Sequence, residues 1–223
     1  MTTTINRILF DYDGTLIIHD KENEGRQVAK LLGLGEEQIP EFEGRLAVYF
    51  EKYYVVNDCK MTYDLYLRNL DAAIWPYEVF GVTARQLDEA IRENSKVSTK
   101  LAANAKETLE YLASKGYQIC LFTNGFYDSQ TDNMKYKGIF EYFDKIYAWD
   151  NFYTKPDRRA FMRALAGTNP KHNIMIGDSL TADIAPAKAM GIYSVGINIC
   201  NAHDSAIKPD LLISDLSELR NIL

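Results

Sequence analysis

The sequence predicts an α/β fold in which helices cover both faces of a parallel sheet and a small helical domain interrupts the chain after the first strand. From Leu101 onward, short apolar runs alternate with stretches of helical spacing, which is typical of parallel strands joined by crossover helices. The first apolar run, at 7–10, lies much farther from the next run than a single crossover requires, so an insertion is expected between them.

The apolar runs predict buried strands at 7–10, 118–123, 145–149, 173–177 and 192–197. One crossover helix is also marked by its ends. Asn104 and Glu107 have the spacing of a capping box at its start, and Gly116 is placed to end it. We therefore expect a crossover helix over about 104–116, directly before the predicted strand at 118–123.

Helical spacing also runs through the inserted segment. Apolar and aromatic residues recur there at helical intervals, namely Val28, Leu31, Leu32, Tyr49, Phe50, Tyr53, Tyr54, Leu87, Ala90 and Ile91. The aromatic side chains could instead form a stacking platform for a base, but the helical interval favours packing in a core. We assign 18–98 to a helical domain, and 1–17 together with 99–223 to a Rossmann-like core domain.

Composition and charge restrict the classes of function. The chain has 223 residues, of which 47% are hydrophobic and 25% are charged, which is enough to bury a sizeable core. A net charge of -6 argues against a nucleic-acid polymer or an anionic membrane as a partner. Apolar runs are too short for a signal peptide or a membrane span, and three widely spaced cysteines indicate neither disulfides nor a metal cluster. A cytoplasmic monomer or homodimer is expected.

The first strand leads directly into Asp11-Tyr12-Asp13-Gly14-Thr15-Leu16, at the edge where open parallel sheets bind ligands. Alternation along an extended segment places Asp11 and Asp13 on one side, where a phosphoryl group could sit between them. One carboxylate could attack phosphorus while the other protonates the leaving oxygen and later deprotonates a water. Such a site requires positive charge nearby, because carboxylates and phosphate repel one another.

Two later stretches supply groups that could meet a phosphate. Thr123 and Asn124 end the second predicted strand, where a hydroxyl and the free N–H groups before the next helix would form a cradle. Lys155 follows the third strand and can place an ammonium on the phosphate. Both stretches lie at the same predicted edge of the sheet.

Carboxylates follow the next strand, in Gly177-Asp178-Ser179-Leu180-Thr181-Ala182-Asp183. They can hold a small hard cation or orient Lys155. Magnesium prefers one or two carboxylates together with phosphate and water oxygens, a requirement that Asp11 and Asp178 meet. The cation would also shield Asp11 from the phosphate that it attacks.

Each of these residues has an ordinary structural interpretation when taken alone. Aspartate and glycine are common in turns after strands, and threonine is compatible with a strand end. Lys155 could be a solvated lysine at a helix start, and Asp183 a first-turn charge favoured by the helix dipole. His19, His172 and His203 lack the spacing of a metal site or a catalytic dyad, so we interpret them as surface or hinge residues.

Together the four stretches resemble the haloacid dehalogenase-like (HAD) hydrolase superfamily, whose four motifs occur in this order after core strands. The resemblance covers 7–16 and about 101–223. It implies that Asp11 is the nucleophile and Asp13 the general acid/base, with the Asp13 backbone carbonyl as a metal ligand. It also implies carboxylate ligands for Mg2+ at Asp11 and Asp178, phosphate binding by Thr123, Asn124 and Lys155, and a supporting place for Asp183.

The place of the insertion resembles the helical cap of the first type in this superfamily, which closes over small substrates. The dehalogenases of the superfamily lack an acid at the position of Asp13, so its presence argues for phosphoryl chemistry. The resemblance therefore implies a Mg2+-dependent phosphatase that acts on a small phosphorylated metabolite through an aspartyl phosphate.

Thr123-Asn124-Gly125 and the stretch 201–219 are similar to bacterial pyrimidine 5′-nucleotidases and related sugar-phosphate phosphatases. A nucleoside 5′-monophosphate is the first substrate expected, and a sugar phosphate the second. A phosphotransferase of the β-phosphoglucomutase kind uses the same first motif, but the insertion has no basic cluster that favours it. A non-catalytic binding protein is disfavoured because the aspartates of the first and fourth motifs are all present.

Overall fold

The structure is a computed structural model that describes residues 5–19, 24–56, 73–149, 153–199 and 206–223, with the backbone alone for 49–56. The strands are β1 (Arg7–Phe10), β2 (Ile17–His19), β3 (Thr99–Leu101), β4 (Gln118–Phe126), β5 (Lys145–Trp149), β6 (Asn173–Gly177), β7 (Tyr193–Ile197) and β8 (Leu211–Ile213). The helices are α1 (Glu24–Leu31), α2 (Ile39–Val56), α3 (Trp75–Phe80), α4 (Ala84–Ser98), α5 (Ala105–Ser114), α6 (Tyr127–Tyr136), α7 (Arg158–Leu165) and α8 (Ala185–Ala189). Shorter helical turns lie at Phe140–Tyr142, Pro170–His172, Leu180–Ile184 and Leu216–Asn221.

A parallel sheet of six strands forms the centre of the fold, in the order β5-β4-β1-β6-β7-β8. The chain moves outward from β1 to β5 and then returns to the other side of β1 with β6. In open α/β sheets, ligands bind at the carboxyl ends of the strands beside such a switch point. The predicted strands and the predicted parallel sheet are confirmed, and the ends of β1 and β6 are the expected place for a site.

Strand β1 is buried along its whole length, because it has a strand on each side and helices above and below. Ile8 and Phe10 belong to a hydrophobic cluster that includes Leu109 of α5, whereas Leu9 belongs to a second cluster with Phe161 of α7. Successive side chains of a strand point to opposite faces, so the two clusters lie on opposite sides of the sheet. The prediction of helices on both faces is confirmed.

Every element that the structure describes between β2 and β3 is a helix, from α1 to α4. β2 and β3 pair with each other in antiparallel fashion, so the two ends of the insertion lie side by side. Helices α1, α2 and α4 bury a third hydrophobic cluster, in which Val28, Phe42 and Leu87 are enclosed. That 18–98 forms a separate cap domain stays a prediction.

Two aromatic residues of the sheet contact this third cluster. Phe126 ends β4 and Trp149 ends β5, and their rings stack with centroids 5.2 Å apart and an interplanar angle of 13°. Both pack against the helical insertion, which therefore lies over the carboxyl ends of β4 and β5. Among the described residues, no helix is both long enough and apolar enough to cross a membrane.

Several local predictions differ from the structure. Helix α5 begins where expected, but Asn104 has a left-handed φ of 57° and makes no side-chain cap. Its amide donates instead to the Asp215 carboxylate at 2.9 and 3.0 Å, so the predicted capping box is wrong. Gly116 does follow the helix end, with a φ of 80°. Leu31, expected on the apolar face of α1, is 55% exposed.

The side chain of Arg7 connects β1 to the end of helix α7. Its buried guanidinium donates to Gln118 Oε1 at 2.6 Å and to the carbonyls of Ala164 and Leu165 at 2.8 Å each, at the end of α7. Arg7→Met should lower the free energy of unfolding by about 2 kcal/mol, because buried carbonyls lose a charged donor. Urea denaturation measures the change.

The matched control is Arg45→Met, because the exposed guanidinium of Arg45 bonds Glu41 one helical turn away. Exposed pairs of this kind contribute little, so its unfolding midpoint should stay close to that of the wild type. Equal losses in the two variants would contradict an anchoring role for Arg7.

Candidate active site

The chain leaves β1 in a tight turn that carries the first two aspartates. The Tyr12 carbonyl accepts the N–H groups of Leu16 at 2.8 Å and Ile17 at 3.1 Å, so the backbone closes a helical turn directly after the strand. Asp11 is 7% exposed, and its N–H donates to the Ile176 carbonyl of β6 at 2.9 Å. The sheet therefore fixes the first aspartate, and the turn carries the second.

Lys155 is a buried cation at the centre of the site. Its ammonium donates to Asp11 Oδ1 at 2.6 Å and to Asp183 Oδ1 at 2.5 Å, and the lysine is 4% exposed. Asp183 is itself fully buried, and its Oδ2 accepts the Ser179 N–H at 3.1 Å. These contacts join the loops after β1, β5 and β6 in one ion cluster, defined by Lys155, Asp11 and Asp183.

Asn124 holds the backbone of Lys155. Its Nδ2 donates to the Lys155 carbonyl at 2.9 Å, and its Oδ1 accepts the Lys155 N–H at 2.8 Å. A direct phosphate contact by the Asn124 side chain would have to compete with these two bonds. Thr123 is 3% exposed, and its hydroxyl accepts the Gly125 N–H at 3.1 Å, which leaves the hydroxyl hydrogen to be donated.

Gly14 allows the fourth motif to approach the first. Its φ is 80°, a left-handed value that side chains disfavour, and a Cβ there would lie 2.2 Å from Asp178 Oδ2. Both the turn and the close approach therefore require glycine. As a result the Asp178 carboxylate lies directly beside the turn that carries Asp11 and Asp13.

Burial and mutual repulsion make the anionic forms of these carboxylates costly. Burial raises the pKa of Asp11 well above its ordinary value, against the opposing effect of Lys155, and Asp183 raises it further. Burial likewise raises the pKa of Asp178, with a contribution from Asp183. Burial would lower the pKa of Lys155, but Asp11 and Asp183 together raise it, so the lysine stays charged.

The carboxylates also form a group that fits a hard cation. One oxygen from each of Asp11, Asp178 and Asp183 can be chosen so that all lie within 4.8 Å of one another. One ammonium does not balance three carboxylates, so a divalent cation would offset the remaining repulsion. Both oxygens of Asp183 already accept hydrogen bonds, and Asp11 and Asp178 are therefore the better placed ligands.

The carboxylate of Asp13 has separate partners. Its Oδ1 lies 2.7 Å from His19 Nε2, and its Oδ2 accepts a hydrogen bond from Gln130 Nε2 at 3.2 Å. His19 ends β2, where the chain enters the insertion, and its side chain is 24% exposed; its contact with the predicted acid/base is one that its spacing does not predict. His172 is partly buried in a helical turn, and His203 lies outside the described residues.

Sequence reasoning missed both partners of Asp13. Gln130 lies 117 positions away from Asp13, and no local pattern reports a contact over that distance. His19 is close in sequence, but an extended strand would hold it about 20 Å from Asp13. The turn after β1 brings the two side chains together. The side chains of Tyr49, Phe50, Tyr53 and Tyr54, and residues 201–205 of the stretch compared with nucleotidases, lie outside the described residues.

Comparison with known proteins identifies the family. A family model described as haloacid dehalogenase-like hydrolase matches residues 5–191. The chain therefore belongs to the haloacid dehalogenase-like hydrolases, and the family predicted from the four motifs is confirmed.

Curated relatives are named as phosphatases of different substrates. Phosphoglycolate phosphatase of Vibrio parahaemolyticus is 28% identical over 98% of this chain and 96% of its own. Pyrimidine 5′-nucleotidase PynA of Streptococcus pneumoniae is 25% identical over 86% of this chain and 83% of its own. Pyrophosphatase PpaX of Bacillus velezensis is 31% identical over 66% of this chain and 74% of its own. With the family, these names support the predicted class, a phosphoric monoester hydrolase of the HAD type.

Solved structures share the whole fold. HAD-hydrolase YfnB of Bacillus subtilis, described as bound to magnesium, matches with a TM-score of 0.70 over 99% of both chains at 22% identity. A 2-haloacid dehalogenase of Pseudomonas syringae matches with a TM-score of 0.69 over 98% of both chains at 23% identity. The predicted α/β fold is confirmed, and the fold by itself does not separate a phosphatase from a dehalogenase.

Two substitutions in the ion cluster should affect stability differently. Lys155→Met leaves two buried carboxylates without their cation and should lower the free energy of unfolding by about 3 kcal/mol. Asp11→Asn removes a carboxylate from a place where carboxylates outnumber cations, so the free energy of unfolding should stay unchanged or rise. Urea denaturation of both variants at pH 7 measures this difference. A loss for Asp11→Asn as large as that for Lys155→Met would contradict the view that carboxylate crowding strains the site.

Proposed function

We propose that the protein is a magnesium-dependent phosphatase that hydrolyses a small phosphomonoester through an aspartyl phosphate on Asp11. The observation that carries the proposal is the buried contact between Asp11 and Lys155 at the carboxyl end of β1. It places a carboxylate fixed by the sheet beside an ammonium that can meet the phosphate. Family membership and the names of the relatives support this class of reaction.

The proposed reaction uses the two aspartates of the β1 turn in succession. An oxygen of Asp11 attacks phosphorus, and the bond from phosphorus to the leaving oxygen breaks while Asp13 gives that oxygen a proton. A water then attacks the phosphorus of the aspartyl phosphate, and Asp13 takes up the proton as Asp11 and inorganic phosphate are released. The side chain of Asp13 is 45% exposed, which suits an acid that must meet a departing group.

The negative charge of the phosphate would be met by groups from three loops. Lys155 and the hydroxyl of Thr123 would contact its oxygens directly, together with backbone N–H groups at the end of β4. Asp183 keeps the ammonium in place, and Asn124 keeps the Lys155 backbone in place. The contribution of Asn124 would then be made through Lys155.

The acidic group would hold magnesium between the first and fourth motifs. Asp11 and Asp178 would bind it by their carboxylates, and Asp13 by its backbone carbonyl as the family resemblance implies. The bound cation would neutralise charge on the phosphate and on the carboxylates. Asp11 would consequently remain anionic, which its attack requires.

Asp13 favours phosphoryl transfer over dehalogenation, although both reactions occur on this fold. In dehalogenation the halide leaves without a proton, so an acid beside the nucleophile would have no catalytic role. An alkoxide needs a proton as it leaves, and the hydrolysis that follows needs a base. A single carboxylate on the turn next to Asp11 can meet both needs.

The substrate is proposed to be a nucleoside 5′-monophosphate, with a sugar phosphate as the second candidate. Similarity to PynA supports the first, and similarity to phosphoglycolate phosphatases adds other small phosphomonoesters to the range. The helical segment 18–98 would act as a cap, since its hydrophobic cluster packs against Phe126 and Trp149 above the strand ends. A cap in this position would admit small molecules to the site and exclude larger ones.

A substrate panel tests the proposal. Phosphate release from pyrimidine and purine nucleoside monophosphates, sugar phosphates and phosphoglycolate should be highest for the pyrimidine nucleotides, and Asp11→Asn should abolish it because asparagine offers no anionic nucleophile. Highest release from sugar phosphates would replace the first candidate with the second. Transfer that depends on a sugar bisphosphate, with little free phosphate, would indicate a mutase. Full activity of Asp11→Asn would refute the assigned nucleophile.

Magnesium dependence can be measured with and without turnover. A chelator should abolish phosphate release, and added Mg2+ should restore it. In the absence of substrate, Mg2+ should raise the melting temperature of the wild type, because a ligand that binds the folded state stabilises it. Asp178→Asn should reduce that shift, whereas Glu141→Gln, an exposed acid in a helical turn, should retain it. A shift of equal size in Asp178→Asn would argue against the proposed ligand.

A further inference from the structure

Gln130 is a buried polar side chain beside the site that the reaction described so far does not use. It lies on α6, is 9% exposed, and donates from Nε2 to Asp13 Oδ2 at 3.2 Å. The amide thus reaches from the helix after the second motif to the carboxylate of the first motif. The contact connects a buried residue to the more exposed of the two aspartates on the β1 turn.

The backbone at the end of β4 leaves room for this side chain. A Cβ on Gly125 would lie 1.8 Å from Gln130 Nε2 and 2.6 Å from Gln130 Cδ. Any other residue at this position would therefore displace the amide. Gly125, near the end of β4, therefore leaves the space through which Gln130 reaches Asp13.

Helix α6 is also fixed to the residue before Asp13. The hydroxyl of buried Tyr12 donates to Asn133 Oδ1 at 3.0 Å, and Asn133 lies one helical turn after Gln130. The helix therefore holds two successive residues of the β1 turn, one through each of these polar side chains. It cannot move away from Asp13 without breaking a buried hydrogen bond to Tyr12.

The other oxygen of Asp13 is held from a different element. His19 is the last residue of β2, and its Nε2 lies 2.7 Å from Asp13 Oδ1. Contacts from α6 and β2 therefore fix both oxygens and the plane of the carboxylate. Gln130 is the more buried of the two partners, since the side chain of His19 is 24% exposed.

We propose that Gln130 is a positioning residue for proton transfer, which anchors Oδ2 of Asp13 so that Oδ1 carries the transferred proton. The inference rests on the proposed function, in which Asp13 is the acid and base. An amide N–H can only donate, and it bonds best to the oxygen that has no hydrogen, so protonated Asp13 keeps its hydrogen on Oδ1.

Proton movement then involves one oxygen throughout. Oδ1 exchanges His19 for the leaving oxygen of the phosphomonoester and gives it the proton as the bond to phosphorus breaks. When water attacks the aspartyl phosphate, Oδ1 takes up the proton, and Oδ2 remains bonded to Gln130.

The dependence of the rate on the leaving group tests this role. β-Glycerol phosphate has a poor leaving group that needs the proton, whereas 4-nitrophenyl phosphate has a leaving group that departs readily without it. Gln130→Met keeps the length of the side chain and removes the donor. It should lower kcat/KM at least about 10-fold for β-glycerol phosphate and less than about 3-fold for 4-nitrophenyl phosphate. Because kcat/KM reports steps up to release of the alcohol, the later hydrolysis does not affect the comparison.

Three further variants complete the experiment. Asp13→Asn is the reference for complete loss of the acid. It should lower kcat/KM for β-glycerol phosphate more than for 4-nitrophenyl phosphate, and by a larger factor than Gln130→Met does. Gln130→Leu, which also removes the donor and adds no charge, should behave like Gln130→Met. Thr131→Val is the matched control, since this buried threonine on the same helix bonds the Asp128 carbonyl, and it should affect both substrates equally. Melting temperatures establish that each variant is folded.

The outcomes separate the inference from the proposed function. Suppose that Asp13→Asn discriminates between the substrates, but that both Gln130 variants lower kcat/KM equally for the two substrates or leave it unchanged. The positioning role is then overturned, and the proposed function stands. If Asp13→Asn itself affects both substrates equally, the acid role of Asp13 fails and the positioning role fails with it. Discrimination by Asp13→Asn and by both Gln130 variants supports the inference.

Discussion

The buried ammonium of Lys155 is the interaction on which the arrangement of the site depends. It donates to Asp11 after β1 and to Asp183 after β6, and its own backbone is held by Asn124 at the end of β4. A charge that has left water needs partners within hydrogen-bonding distance, so the loops that supply those partners must converge. This requirement explains why residues from separate parts of the chain lie within one cluster. It also explains why the cluster is poised for a cation, because its carboxylates outnumber its ammonium.

The turn after β1 is where the sheet, the helical insertion and the chemistry meet. Tyr12 points into the core and bonds Asn133, whereas Asp13 points toward the site and bonds Gln130, so α6 contacts both sides of the turn. His19 approaches the same carboxylate from β2, the strand that leads into the insertion. The carboxylate of Asp13, the proposed acid/base, is therefore held by α6 of the core on one oxygen and by β2 on the other. Positioning of this kind suits a group that must transfer a proton along a defined direction.

Local sequence patterns succeeded where the structure itself is local. Five strands of the parallel sheet could be predicted because continuous apolar runs mark strands covered on both faces. The short strands β2, β3 and β8 could not, since three residues carry too little periodicity to separate a strand from a loop. Asn104 has the sequence of a helix cap, but its side-chain amide donates to the carboxylate of Asp215, 111 positions away, and makes no cap. Tertiary contacts decided the outcome in that case.

The sequence by itself determined the fold class, the family, and the convergence of Asp11, Lys155, Asp178 and Asp183, because parallel strands bring their carboxyl ends to one edge. It could place these groups at the same edge without saying which atoms meet. The tertiary structure decided that Asn124 supports Lys155, and that Asp13 lies between His19 and Gln130. These contacts join positions far apart in the chain, or positions across a turn that interrupts the strand period. A hydrogen bond depends on distances within a few tenths of an ångström, and packing of the whole chain sets such distances.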